Sequence, residues 1–549
     1  MLQETKKVQY ASSFKEQLTL RGMLIGAGGA VVLTMSSMYV ALKLGALPWP
    51  IIFVALVSMF FLKTLGKTNI NEINVTHTAM SAGAMTAGGV AFTLPGLYML
   101  NPLAEVSILK LMAVVSGGVL LGLIFTALIR NYFVVTKELP YPMGQAAAET
   151  LLAGDEGGNK SILLFSSMGM AALFTIVRDW FQIFPAALLN GKMMGYGSFA
   201  GIWWSPMLVA VGYVIGPVYV GVWFLGAVLG DFGILAGGIE AGFWNQETGE
   251  AIKSSLGIGL MVGTGIGIIV KGILPKAKEI FGPMFGKNAL QRGFVSLRWA
   301  PVAMAFIAAI FTTVCGMGIL ASVITILGVW LATSMSAQMV GQSGINPMEI
   351  FGIIVLLSAK AVSSIGQIEA FFVAAVVAVA CGLAGDVMND FKAGHILKTD
   401  PKAQWIAECI GGAIGAVVSV GVFYVILTAY GASAFGNPEM FAAPQASAVA
   451  AMVGGIPHMT SFIIGLVAGS LLYTLNFPVM TLGLGVYLPF YLSFTAFIGG
   501  VLKLFAQKFA PETEKRGNGL IVASGMLGGE AVVGVIIALI QAVPAFMTI

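Results

Sequence analysis

The sequence predicts an all-α polytopic membrane protein of about sixteen transmembrane helices, arranged as two eight-helix repeats of the same orientation. Three observations predict it. Only 9% of the 549 residues are Asp, Glu, Lys or Arg while 58% are hydrophobic, against about 25% charged in a soluble domain. Several apolar runs reach the roughly 20 residues that span a bilayer as a helix. Three residue patterns also recur in the same order in each half of the chain.

Apolar windows punctuated by Gly, Pro and charge place helices near 20–44, 50–66, 70–95, 106–134, 160–184, 197–216, 218–238 and 253–275. A second series falls near 299–320, 322–340, 347–365, 367–388, 403–429, 458–476, 484–506 and 517–541. The domains are then a cytoplasmic N-terminal segment (1–19), a first repeat (20–275), a basic cytoplasmic linker (276–298) and a second repeat (299–549). No cleavable signal is expected, because the polar first twenty residues lead into an apolar segment too long for a signal core.

Basic residues set the expected sidedness. Lys6, Lys7, Lys15 and Arg21 precede the first helix, and Lys63 and Lys67 follow the second, so the N-terminus is expected in the cytoplasm. An even number of crossings returns the C-terminus to the same side. One loop disagrees: Lys508, Lys515 and Arg516, tempered by Glu512 and Glu514, fall outside in this count.

The recurring patterns are these. Gly66, Ile70 and Asn71 match Gly341, Ile345 and Asn346. Pro142, Gln145, Ala148 and Glu149 match Pro401, Gln404, Ala407 and Glu408. Pro206, Val214, Pro217 and Tyr219 match Pro478, Val486, Pro489 and Tyr491. With eight helices per copy, the two are expected to be related by an axis along the membrane normal, as in transporters built around a midplane site.

The 71 glycines lie largely within apolar segments, where small residues let helices approach closely. Two glycine-rich stretches, 81–89 and 524–530, are expected to unwind beside a cavity, the only place at membrane depth where free backbone groups are tolerated.

Ionisable residues at membrane depth are costly and mark function. Glu530 lies near the middle of the last helix after two glycines and is expected to be unpaired there, a first choice for a proton-coupled carboxyl, with Asp231 second. Lys360, Ser364 and Gln367 fall at i, i+4 and i+7, a polar stripe suited to a substrate carboxylate. Asn74, Thr78 and Ser81 share a face with His77 adjacent, and Arg178 adjoins Asp179; these complete the expected substrate contacts. Asp386 and Asp390, near Lys392, read as an interfacial cluster.

Other classes fit less well. The net charge is +4, too small and dispersed for nucleic acid. Cys315, Cys381 and Cys409 form neither a disulfide framework nor a metal motif. The nearest approach to a P-loop is Gly66, Lys67 and Thr68, with Phe61 where the first Gly must stand. A channel requires charge or carbonyl rings from symmetric subunits, and the three histidines, His77, His395 and His458, lie in separate segments, unlike an enzyme's cluster. No cofactor or bound metal is expected. The expected partners are protons, a small peptide or chelate and the lipid bilayer, with a homodimer left open.

Over nearly its whole length the chain resembles the oligopeptide transporter (OPT) superfamily. The resemblance rests on LRGMLIGAGGAVVLTMSSMYVALKLG (20–45), NINEINVTHTAMSAG (69–83), ELPYPMGQAAAETLLAG (138–154), GQSGINPMEIFG (341–352), DFKAGHILKTDPKAQ (390–404), GLGVYLPFY (483–491) and GNGLIVASGMLGGEAVVG (517–534). Signatures of the SPYxEVR and KIPPR type are missing, which places it nearer the compact prokaryotic and yellow-stripe-like type. The resemblance implies sixteen transmembrane helices and proton-coupled uptake of small peptides or metal chelates in the plasma membrane.

Overall fold

The structure is a computed structural model that describes residues 8–44, 51–156, 158–267, 298–344, 346–437, 440–515 and 517–547, with positions 270, 271, 275 and 295. Most of the expected basic linker lies outside the described residues. Among the described residues nine helices are long and apolar enough to cross a membrane, and four shorter apolar helices accompany them: Ile51–Thr64, Pro206–Ile215, Ala300–Thr313 and Met459–Thr474.

The chain forms two compact units, and each takes segments from both halves of the sequence. One consists of 6–155, 276–455 and 535–549, the other of 1–5, 156–275 and 456–534.

The centre of the first unit is the Ile70–Ala91 helix, buried at every one of its residues, beside Gln367–Ile396, buried continuously from Ala370 to Phe391. A helix enclosed on all sides belongs in the interior of a bundle. Leu20–Leu44, Ile108–Arg130 and Pro401–Tyr430 pack around the pair. Close approach depends on glycine: a Cβ at Gly411 would lie 2.1 Å from Ala79 O, and one at Gly89 would lie 2.5 Å from Val379 Cα. The first helical turn is tied down by Glu72, which accepts from Arg21 at 2.7 Å, Thr19 at 2.6 Å and Thr68 at 2.7 Å.

Two of the recurring sequence patterns meet here. Pro142 and Pro401 each open a helix, Pro142–Glu156 and Pro401–Tyr430, because a proline lacks only an N–H that the first turn leaves unbonded anyway. Tyr141 N–H donates to Gly341 O at 3.0 Å, and its buried hydroxyl donates to Ala337 O at 2.9 Å.

The second unit is built on glycine contacts between Gln246–Gly267 and Met459–Thr474. A Cβ on Gly259 would meet Phe462 O at 2.3 Å, and one on Gly465 would meet Leu256 O at 2.5 Å. It contains two interrupted helices. Pro206–Ile215 stops at Gly216, whose φ of 97° suits glycine, and restarts as Pro217–Ala227; Val479–Tyr487 stops before Pro489 and restarts as Phe490–Phe509.

Several local expectations change. The helix expected at 197–216 begins only at Pro206, because the chain before it forms a two-stranded antiparallel hairpin, Ala187–Leu189 with Gly201–Trp203. The helix expected at 484–506 is divided at Leu488–Pro489. A short helix, Pro444–Gly454, occupies a stretch read as a connection. The glycine-rich stretches 81–89 and 524–530 are helical throughout. Their glycines serve packing instead: Cβ atoms on Gly83 and Gly529 would lie 2.5 Å from Thr34 Oγ1 and 2.3 Å from Met168 O. The three cysteines are free thiols.

Candidate functional site

Each unit encloses ionisable groups, and the two arrangements differ in how charge is satisfied.

In the first unit two helices bring Asp386, Asp390 and Glu408 together. One carboxyl oxygen from each lies within 4.8 Å of the others, and all three residues are 0% exposed. The spacing is helical: Asp386 and Asp390 are four residues apart on Gln367–Ile396, and Gln404 and Glu408 four apart on Pro401–Tyr430, so each pair shares a face. The Ile70–Ala91 helix supplies a third such pair, His77 and Ser81. Nε2 of His77 lies 2.9 Å from Asp390 Oδ1, and the Ser81 hydroxyl lies 2.7 Å from Asp390 Oδ2, nearer than its own helix carbonyl at Thr78, 3.1 Å away. Gln404 donates through Nε2 to Asp390 O at 2.7 Å. It fits because Gly394 has no side chain: a Cβ there would lie 1.9 Å from Gln404 Oε1.

Around this core, Asn74 and Asn71 donate to Thr399 Oγ1 at 3.0 and 3.1 Å, and Asn389 Oδ1 accepts from Gly144 N–H at 3.0 Å. Among the described residues both oxygens of Asp386 and both of Glu408 accept no hydrogen bond, and the basic side chain that reaches these three acids is His77, on Asp390. An unpartnered charge in such a place costs several kcal/mol, so a neutralising cation or protons belong there.

In the second unit each buried acid faces a cation. Glu530 accepts from Arg178 Nη2 at 2.9 Å, from Ser205 Oγ at 2.9 Å and from Met207 N–H at 2.7 Å. That seats it on the N-terminus of Pro206–Ile215, where the helix dipole favours an anion. Arg178 is fully engaged: Nε and Nη2 donate to Asp179 and Nη1 to Trp204 O. Asp231, 0% exposed, accepts from Lys253 Nζ at 2.7 Å and Ser198 Oγ at 2.8 Å. Ser198 lies in the connection between the hairpin's two strands, and Trp204 and Ser205 directly follow the second, so both acids anchor it.

The structure therefore differs from the sequence reading at several residues. Glu530 is not unpaired, because Arg178, 352 positions away, reaches it. Asp386 and Asp390 are not an interfacial cluster but lie fully enclosed. Lys360, Ser364 and Gln367 do not share a helix face: Met348–Val362 ends before Ser364, and Gln367 opens the next helix. All three are exposed, with Lys360 Nζ donating to Val453 O at 2.9 Å. Asn74, His77, Thr78 and Ser81 are buried together, with His77 and Ser81 on Asp390. Lys253, Ser198 and Ser205 went unread, and Glu408 was seen only as a motif residue. The i, i+4 repetition of acids and amides on successive helices was the available signal.

A bundle of apolar helices enclosing charged groups defines a polytopic membrane protein of the transport type. Residues 17–278 and 286–541 match the family described as OPT oligopeptide transporter protein, and the chain belongs to that family. It is 27% identical to a putative oligopeptide transporter of Haemophilus influenzae over 92% of each chain. It is 22% identical to the probable metal-nicotianamine transporters YSL11 and YSL14 of Oryza sativa subsp. japonica, over 94% and 95% of this chain and 86% and 85% of theirs.

Proposed function

We propose that this chain is a secondary active symporter that imports small oligopeptides across the plasma membrane on the proton gradient, with both termini in the cytoplasm. The observation that carries the proton coupling is the enclosed group Asp386, Asp390 and Glu408, four of whose oxygens accept no hydrogen bond among the described residues. Carboxyls this close and shielded from water do not all bear charge at once, so the site holds or releases protons as its access to water changes. Glu530 and Asp231 are placed differently in this reading: each faces a cation, which fits an anchoring role. Of the residues expected to meet substrate, Ser364 and Gln367 are exposed and keep that assignment.

Support for a peptide substrate comes from the Haemophilus influenzae relative, a putative oligopeptide transporter. The rice relatives, described as metal-nicotianamine transporters and aligned over most of this chain, favour a second reading in which a metal chelate is carried.

The test is uptake into proteoliposomes under an imposed inward proton gradient, screening di- to pentapeptides beside iron chelates with an internal dye reporting acidification. Peptide-dependent acidification is the expected result. Acidification by chelates only would select the second reading, and none by either would end the proton-coupled one.

A further inference from the structure

We infer that Asp386 and Glu408 each bind one of two transported protons, while Asp390 is the fixed anion of the site. The inference rests on the proton-coupled reading above and divides the work within that cluster.

The division follows from where the donors are. Each oxygen of Asp390 has a partner: the Ser81 hydroxyl donates to Oδ2 at 2.7 Å, and His77 Nε2 lies 2.9 Å from Oδ1, where it donates in the tautomer that carries its proton on Nε2. Donors aimed at both oxygens stabilise a carboxylate in its charged form. Among the described residues His77 Nδ1 has no partner, so the ring meets the site through Nε2 alone. Asp386 and Glu408 are 0% exposed, and among the described residues no donor makes a hydrogen bond to any of their four oxygens. A carboxylate there has neither water nor a donor, whereas a carboxylic acid brings its own O–H and points it at a neighbouring oxygen. Asp390, the one of the three already held by donors, lies in reach, since one oxygen from each of the three acids falls within 4.8 Å of the others.

The groups facing the pair are few. Ile70–Ala91 contributes His77, and Pro401–Tyr430 places Cys409 directly after Glu408. Three cations on the other helices packed nearby are engaged elsewhere. Arg130 of Ile108–Arg130 lies over the Phe391 ring, Arg21 of Leu20–Leu44 is spent on Glu72, and Lys360 of Met348–Val362, a helix that also carries Glu349, donates to Val453 O. Each loading step is a simple protonation, carboxylate plus proton giving carboxylic acid, and release on the other side reverses it. Gln404 is a positioning residue that holds the Asp390 backbone, and Gly394 leaves the space its side chain occupies.

The experiment is the proton-to-substrate ratio, measured from the membrane potential and pH difference that just halt net flux in proteoliposomes, using whichever screened peptide acidifies the lumen. The wild type is expected to give two. Asp386→Asn and Glu408→Gln are each expected to give one while still catalysing substrate exchange without a gradient. Asp390→Asn is expected to lose coupled uptake. A wild-type ratio of one, or a ratio of two retained in both single variants, overturns the inference while leaving proton coupling intact. A wild type that moves substrate without protons overturns the proton-coupled reading itself. A metal ion found in the purified protein at one per chain and lost in Asp386→Asn overturns the inference in favour of a resident cation. Should a variant fail to fold, the infrared carbonyl band of buried carboxylic acids in the wild type decides. Its presence near neutral pH with loss on turnover is expected, and its absence overturns the assignment.

Discussion

Arg178 and Glu530 stand 352 positions apart in the chain and meet within one unit, Nη2 to Oε1 at 2.9 Å, with side chains 3% and 7% exposed. The pair fastens the end of the hairpin and the start of Pro206–Ile215 to the last helix, through Trp204 O, Ser205 and Met207 N–H.

Removing one partner of such a pair strands a buried charge, which costs about 3–5 kcal/mol. Arg178→Met is therefore expected to lower stability by that order, read as unfolding of purified protein in detergent. Glu530→Gln is expected to cost less, because Arg178 keeps Asp179. The double variant Arg178→Met, Glu530→Met is expected to be more stable than Arg178→Met, and a double variant as unstable as the single one would remove the charge-pairing explanation.

Lys253 and Asp231 give a parallel case. Lys253→Met leaves Asp231, among the described residues, with Ser198 as its remaining donor, and a loss of about 3–5 kcal/mol is expected. Adding Asp231→Asn is expected to recover part of it. Denaturation midpoints of the two proteins check this.

His77→Ala deletes a donor to an enclosed carboxylate. The expected loss is about 1–3 kcal/mol for the group left unsatisfied, together with a fall in coupled uptake. His77→Gln, which can present an N–H to Asp390, is expected to recover more of both than His77→Ala, and equal loss in the two would show that the donor is not what matters.

Glycines on one helix are expected to differ by what they face. Gly411→Ala places a methyl 2.1 Å from Ala79 O and forces Ile70–Ala91 and Pro401–Tyr430 apart, whereas Gly421 has nothing within 4 Å. The first substitution is expected to destabilise by about 1–3 kcal/mol, and the second to be neutral. Thermal unfolding of both variants in the same detergent compares them.

Gly394→Ala tests the seat of Gln404. The new methyl would stand 1.9 Å from Gln404 Oε1, so coupled uptake and stability are both expected to fall. Adding Gln404→Ala opens that space, and it is expected to restore stability more than transport, because the hydrogen bond to Asp390 O stays lost.

Class and membrane character were legible in the sequence because they rest on composition and run length. Nine percent charge and spans of apolar residues exclude a water-exposed surface whatever the packing. Helix positions were legible wherever an apolar run ended in charge or proline, as at Leu20–Leu44, Ile51–Thr64 and Pro401–Tyr430. Breaks at Gly216 and Pro489 were marked by residue type, but hydropathy, which averages over a window, ran through the second of them.

The site was legible only in parts. His77 and Ser81 on one face, Asp386 and Asp390 on another, and Gln404 and Glu408 on a third follow from helical spacing, which relates residues within a few turns of each other. Which faces meet is a matter of tertiary structure. Depth in the sequence suggested that Glu530 is unpaired and that Asp386 is interfacial; packing gave Glu530 an arginine and enclosed Asp386 without a donor. Sequence by itself determined that charges sit inside an apolar bundle. Only the tertiary structure decided which carry a counter-charge, because pairing energy depends on distances of a few ångströms between residues hundreds of positions apart.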